Sequence, residues 1–407
     1  MLKLVTRVKE NRSELLRIAV ASDLHAYDNC GRRPEPSHLR ISHPEDQPGK
    51  HPIAGLVKLI VEDEKLSADL LLCPGDLGDQ VEIAGIKYAW EKLHQVGLKL
   101  GAGLVTATAG NHDLDSRYIK GSFDPKETLQ ALDPPFPLPD EVRNNMYWFR
   151  HFAVTEGNSY RLVILNSSAY HGEKPDEINH GRVAFATVSH LRRNLENLTP
   201  KPVNVLLCHH HPQPLSEFHD DKDYDGMING ESLLDFLGSG TIGRWIVIHG
   251  HKHHPKVTYS SGGGASAVVL SAGSLCVSLY PELRTLVRNQ FHLVSIPIDE
   301  ISRSALVGRI QSWDWAPGDG WAPAGDRSGL PSLCGFGFRG DPLLLADRIA
   351  QSLTVEKLAW HELCRMVPEI EYVIPNDLVA VKLELKRKHR IEVQEVDGTP
   401  VEIGRNS

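Results

Sequence analysis

Several features are scarce in this chain, and each scarcity excludes a class of protein. No run of eighteen or more apolar residues occurs, so nothing reads as a membrane-spanning helix, and residues 1–10 carry charges where a signal peptide needs its apolar stretch. A cytoplasmic location without membrane contact is the expectation. Cysteine is sparse: Cys30, Cys73, Cys208, Cys276, Cys334 and Cys364 are scattered with no C-x-x-C pair, which excludes a disulfide framework and a thiolate metal site and leaves them as reduced, mostly buried small hydrophobes. Positive charge is not in excess. The net charge of −8 gives no global attraction to nucleic acid, although a local basic patch can still hold a phosphate backbone. There is no internal repeat and no low-complexity tract. At 407 residues with 41% apolar content, the chain can bury a full core and has room for two domains.

Apolar, strand-like segments recur at residues 17–22, 70–73, 104–109, 161–165, 203–208, 245–249, 267–270 and 291–298. Between several of them, 53–64, 81–100 and 187–198 carry the 3.6-residue apolar spacing of helices packed on one face. This alternation predicts an α/β layered domain whose strands are buried on both sides. Residues 26–52 break the rhythm with five prolines, two glycines and three histidines (His38, His43, His51). A connection of that length beside a site reads as a lid or as a solvated surface loop. After about residue 300, aromatic and Gly-rich stretches around Trp313, Trp315 and Trp321 precede helical spacing at 343–353 and 355–366. Residues 378–386 read equally as a strand or as a helix capped by Asn376-Asp377, and Asp397-Gly398 reads as a hairpin turn. The expected division is therefore a main domain over residues 1–300 and a small α+β accessory region over 301–407.

Five islands of ligand-type residues follow the apolar runs in order: Asp23-Leu24-His25, Gly75-Asp76, Gly110-Asn111-His112-Asp113, Cys208-His209-His210-His211-Pro212 and Gly250-His251-Lys252-His253. Asp23 and His25, like His251 and His253, are two apart, so each pair projects from one face if the extended geometry persists beyond the strand. Asp76 offers two carboxylate oxygens, enough to bridge two cations. Oxygen and imidazole donors without thiolate suit Mn, Fe, Zn or Co. Two such ions about 3.5–4 Å apart can clamp the attacking and leaving oxygens of an in-line phosphoryl displacement. Singly, each island is weak, because a lone strand-end histidine is more often structural than a ligand. Their order carries the weight.

The pattern D-x-H, G-D, G-N-H-[DE], H and G-H-x-H resembles that of the calcineurin-like metallophosphoesterases, over about residues 17–298. The resemblance implies a four-layer α/β/β/α sandwich with two divalent metal ions (Mn, Fe or Zn) at the strand ends. It implies that Asp23, His25 and His253 bind the first ion, that Asn111, His210 and His251 bind the second, and that Asp76 bridges them. It also implies that His112 faces substrate and protonates the leaving oxygen while a metal-bridging hydroxide attacks. Within the triple histidine, Pro212 selects His210 through the family's H-x-P spacing, with His209 and His211 as alternatives. Gly75-Asp76-Leu77-Gly78-Asp79 resembles the G-D-x-x-D of protein Ser/Thr phosphatases, so Asp79 is expected to orient His112. Gln80 stands where those phosphatases carry arginine, which moves the resemblance toward the bacterial phosphodiesterase-like branch. Arg117, four residues after Asp113, can meet a substrate phosphate. Asn166, Tyr170, His171, His180 and His254 follow or adjoin strand ends, where structural roles are commoner than substrate contact; of these, His254 is taken with Arg117 as a candidate substrate contact.

The expected function is thus a dinuclear phosphoesterase cleaving a small phosphodiester, with cyclic nucleotides among the candidates. A DNA or RNA nuclease is the alternative, with Lys386-Arg387-Lys388-His389-Arg390 as its one dense basic run. Dimerisation is an open option under that alternative. A non-catalytic scaffold is the third reading.

Overall fold

The structure is a computed structural model that describes residues 15–405, except 29–30, 32–33, 116–123, 125, 174–176, 178–179, 215–225, 264, 299–305, 326–328 and 397. Arg117, the expected phosphate contact, lies outside the described residues. In the first half of the chain, β1 (Leu15–Val20), α1 (Pro52–Glu62), β2 (Leu70–Cys73), α2 (Ile83–Leu100) and β3 (Leu104–Ala107) alternate as the apolar spacing predicts. Two short helices, α3 (Glu127–Gln130) and α4 (Glu141–Arg150), lead to β4 (Phe152–Glu156), β5 (Tyr160–Leu165), α5 (Phe185–Glu196), β6 (Val203–Leu207), α6 (Gly230–Gly238) and β7 (Trp245–His249). Then come β8 (Lys256–Tyr259), β9 (Val268–Ser271), α7 (Pro281–Arg284) and β10 (Asn289–Pro297).

Two sheets face each other. The second has the order β4-β5-β6-β7-β9-β8, with β5, β6, β7 and β9 parallel. Alternation along β6 and β7 explains why these strands are apolar throughout. Val203, Val205, Leu207, Ile246 and Ile248 enter the core between the sheets, while Leu206, Trp245 and Val247 pack outward with Val188, Leu191 and Leu233 of α5 and α6. Burying each such side chain stabilises by about 1.5–3 kcal/mol. On the other flank, α1 and α2 cover the first sheet through Leu56, Ile60, Trp90 and Leu93. The result is the expected α/β/β/α sandwich.

The first sheet does not stop where the sequence suggests. Its order β12-β11-β10-β1-β2-β3 includes β11 (Gly308–Ala316) and β12 (Gly320–Pro323), and β13 (Leu333–Phe336) also pairs with β11. The division expected at residue 300 therefore falls between two hydrogen-bonded strands, with Asn289 opposite Trp315 and Ser295 opposite Arg309. The three tryptophans belong to this packing: Trp313 stacks near Phe291, Trp315 near Trp321, and the Trp321 indole donates to the Pro52 carbonyl at 2.8 Å.

A distinct core begins beyond β13. There, α8 (Pro342–Ser352), β14 (Lys357–Ala359), α9 (Trp360–Met366), α10 (Pro375–His389), β15 (Ile391–Val396) and β16 (Thr399–Arg405) bury Leu345, Ile349, Leu363, Val381, Leu385 and Ile403 together. Two expectations are corrected here. Residues 355–366 are not one helix, because Leu358 pairs with Ile403 across β14 and β16. Residues 378–386 are helical, started by Pro375 rather than by Asn376-Asp377: their alternating apolar residues separate onto opposite helix faces, Val381 and Leu385 inward, Val379 and Leu383 exposed.

Candidate metal centre

Each ligand island lies just past a strand end, where the chain stops being extended. Asp23, His25, Asp76, His251 and His253 have φ of 52°, 47°, 54°, 76° and 54°. The expectation that i and i+2 side chains share a face through persisting strand geometry is therefore corrected: left-handed turns aim them. Such conformations cost a non-glycine residue about 1–3 kcal/mol and survive where surrounding contacts over-determine them. Those contacts are visible. Asp23 N donates to Gly75 O at 3.1 Å, and Leu24 N and His25 N both donate to Asp76 O at 2.9 and 3.0 Å, lacing the loop after β1 to the loop after β2.

Two groups of donor atoms result, joined by Asp76. In one, His253 Nε2 lies 3.4 Å from Asp23 Oδ1 and His25 Nε2 lies 3.3 Å from Asp76 Oδ2. In the other, His209 Nε2 lies 2.9 Å from Asn111 Oδ1, 3.2 Å from His251 Nδ1 and 3.5 Å from Asp76 Oδ2, with Asn111 Oδ1 and His251 Nδ1 3.0 Å apart. Spacings near 3 Å between donor atoms suit a shared cation with bond lengths near 2.1 Å. The Nε2 atoms of His25 and His253 are buried without a hydrogen-bond partner among the described residues. A buried polar atom left this way is costly, and a cation removes the cost. The donor set thus fits two borderline divalent ions.

The triple histidine brings two of its members to the second group, the expected His210 and the alternative His209. His209 places its Nε2 among Asn111, His251 and Asp76, while its Nδ1 meets the Pro74 carbonyl at 2.8 Å, which fixes the ring. His210, the expected ligand, turns its Nδ1 to Ser167 Oγ at 3.0 Å, but its buried Nε2 has no hydrogen-bond partner among the described residues, its ring lies 4.5 Å from that of His251, and it groups with His209 and His251 as a possible cation site. Strand alternation fails to separate them because β6 ends at Leu207. Nothing in the sequence singles out Ser167, whose hydroxyl also accepts from His209 N and His210 N.

Electrostatics follow from crowding buried carboxylates and imidazoles. Burial alone would raise Asp76, but His209, His112 and His25 hold it well below the usual carboxylate range. Burial would likewise depress His25, yet Asp76 and Asp79 hold it well above an ordinary imidazole. His210 is driven well down by burial and by His251 and His209. Asp113 is pushed up to about 6 by burial and by Asp76.

Asp113 has an architectural place. Its Oδ1 accepts from Leu77 N and Gly78 N at 2.8 and 3.1 Å, and its Oδ2 accepts from Gly110 N at 2.9 Å, so one carboxylate ties the Asp76 loop to the Asn111 loop. Gly110 is required for a related reason, since a Cβ there would collide with the Asp76 carboxylate.

His112 is the part-exposed member. Its Nδ1 lies 3.1 Å from Asp79 Oδ1, and the same Asp79 oxygen lies 3.3 Å from His25 Nδ1. His25, Asp79, His112 and His253 border a cavity of about 740 Å³ that extends to residues 34–36, 277–281 and Arg284. His254, expected as a substrate contact, is buried and does not line it; at the turn into β8 its carbonyl accepts from Ser271 Oγ at 2.6 Å. His171 is held by the His180 carbonyl at 3.1 Å, and burial lowers its pKa to about 4. In the basic run, Lys386, Arg387, Lys388 and His389 face Glu392, Glu384 and, for the last two, Asp347.

A sandwich with a donor-lined metal pocket at its strand ends defines the class, and the sequence agrees: residues 16–255 match the family model described as calcineurin-like phosphoesterase. The chain belongs to the calcineurin-like phosphoesterase family. Residues 334–387 match a second model, described as wHTH-Calcineurin_assc, over most of the C-terminal core. No curated protein matches the chain. Among solved structures it is similar to a dimetal phosphatase from Danio rerio, at 12% identity and a TM-score of 0.45, covering 74% of this chain and 96% of that one. It is also similar to a purple acid phosphatase from yellow lupin (Lupinus luteus) seeds, at 14% identity and a TM-score of 0.48, covering 80% of this chain and 54% of that one. Among the described residues, no helix is long and apolar enough to cross a membrane.

Proposed function

We propose that this chain hydrolyses a small phosphodiester with two divalent cations. Asp23, His25 and His253 would hold one, Asn111, His251 and His209 the other, and Asp76 both, with His209 taking the place first given to His210. The observation that supports this most is the pair of donor groups meeting at Asp76, with buried imidazole nitrogens left for a cation. When bound, such ions neutralise charge on the phosphoryl oxygens and activate water for in-line attack.

The remaining work falls to the chain's own groups. Two groups meet Nδ1 of His112, the Gln80 N–H at 3.3 Å and Asp79 Oδ1 at 3.1 Å; an ionised carboxylate would repel a lone pair there, so in the working tautomer Asp79 would take the Nδ1–H and the longer Gln80 contact would be given up. With both ring nitrogens protonated, His112 would pass its Nε2 proton to the departing oxygen and be left as the neutral Nδ1–H ring held by Asp79. Asp79 would fix His25 in the same way. The cavity has room for the organic group of a phosphoester, which a diester or a monoester would both supply. The nucleic-acid alternative depends on the basic run, whose first four residues already face carboxylates.

The test is metal analysis and turnover of a p-nitrophenyl phosphodiester by Mn-supplemented protein, with His112→Ala beside it. The variant should keep about two ions per chain and lose on the order of 10²–10⁴ in turnover. Unchanged turnover would remove His112 from the chemistry, and less than about one ion per parent chain would return the scaffold reading.

A further inference from the structure

The wall of the cavity facing away from the metal ligands has its own construction. Val277, Leu279, Leu283 and Val287 form a small apolar cluster under a shelf that ends in α7. Facing it, the middle of the long 26–52 loop is stitched to the shelf: Ser278 N donates to Pro36 O at 2.9 Å, His38 N to Cys276 O at 2.8 Å, and the buried Ser37 hydroxyl to both Leu24 O and Cys276 O. The walls are therefore one preformed unit.

Charge on these walls is uneven. Glu35 on the loop side has Arg40 at 4.0 Å. Arg284 on the shelf side has its stem fixed by Nε donating to the Leu279 carbonyl at 2.6 Å, and no carboxylate lies within ion-pair distance of it among the described residues. Its guanidinium still lines the cavity, beside the exposed ring of Tyr280. A fork of donors fixed at its stem and left without an anion suits bidentate capture of a carboxylate or phosphate.

Building on the phosphodiesterase reading, we propose that the substrate is an organic phosphoester whose alcohol arm carries a second anionic group, and that Arg284 anchors that group. The scissile phosphorus would sit at the His112 end of the cavity. The arm would run along the Tyr280 shelf, and its terminal anion would meet the guanidinium. Specificity then resides in the arm, apart from the metal-side chemistry.

The experiment uses the full chain loaded with Mn and three p-nitrophenyl phosphodiesters that differ only in the second ester arm: propyl, 3-carboxypropyl and 3-phosphonooxypropyl. For the parent protein, kcat/KM should favour one or both anionic arms over propyl by about 10- to 100-fold, mostly through KM. In Arg284→Gln that ratio should fall to near one, and Arg284→Lys should restore part of it. The carboxylate and phosphate arms report which anion the site takes. Equal rates on all three arms in the parent, a preference that survives in Arg284→Gln, or equal losses on all arms in that variant would overturn the assignment of Arg284 while leaving the phosphodiesterase reading intact. No turnover of any arm by metal-loaded parent would overturn both.

Discussion

Replacing Asp113 should damage the architecture of the metal centre before it touches any chemistry. The carboxylate is fully buried and accepts three backbone N–H groups, from Leu77, Gly78 and Gly110. Each hydrogen bond to a charged acceptor contributes about 1.5–3 kcal/mol, and an orphaned buried donor costs about 1–3 kcal/mol. Asp113→Ala orphans all three donors, and water entering the vacated polar space satisfies a donor or two, so a loss of about 3–6 kcal/mol is expected. Asp113→Asn keeps the shape and leaves one oxygen for Leu77 and Gly78, but sets an amide N–H₂ against Gly110 N–H. One donor is lost, for about 1–3 kcal/mol, less what the removed charge recovers, since burial and Asp76 disfavour the ionised carboxylate. Urea unfolding followed by tryptophan fluorescence, with and without Mn, measures both values. The two variants should rank Ala below Asn below parent, and metal content should fall in the same order. If both unfold with the parent's midpoint, or if Asp113→Asn is as stable as the parent yet loses more than about 100-fold in turnover, the clamp argument is wrong and Asp113 acts in the reaction.

The triple histidine gives a second test: His209→Ala should reduce bound metal toward one ion per chain and His210→Ala should not, as read by mass spectrometry of Mn-loaded protein, because only His209 Nε2 lies within 3.5 Å of both Asn111 Oδ1 and Asp76 Oδ2. Gly110→Ala should also lose metal, since the added methyl would displace the Asp76 carboxylate; full metal content would show that the loop yields. Away from the centre, His292 is fully buried between Ser312 Oγ and the Ala272 carbonyl, and burial lowers its pKa from 6.5 to about 4. The unfolded chain therefore takes up this proton first, so the contribution is fully present above pH 6.5 and is lost as pH falls toward 4, by about 3 kcal/mol in all. Urea midpoints at pH 5 and 7 should differ less in His292→Gln than in the parent, and an equal difference would refute the assignment.

The legible parts of this protein were those in which one residue type answers one local requirement. Apolar runs flanked by amphipathic stretches gave the sandwich, because strands buried on both faces must be apolar at every position, as Val203 to Leu207 are. The islands gave a candidate metal centre because Asp, Asn and His recur after successive runs. Residues 378–386 were ambiguous because alternation in sequence does not say whether the backbone is extended or helical; Val381 and Leu385 chose the helix by packing into the C-terminal core.

Sequence alone therefore determined the layers and the order of the candidate ligands. Tertiary structure decided that His209 rather than His210 meets Asn111, that Asp113 ties two loops together, that the first sheet runs on to Phe336, and that Arg284 overlooks the cavity. The reason is the same in each case. Periodicity predicts where a side chain points only while the backbone repeats, and these choices are made past the strand ends, where left-handed turns and contacts between distant segments set the direction.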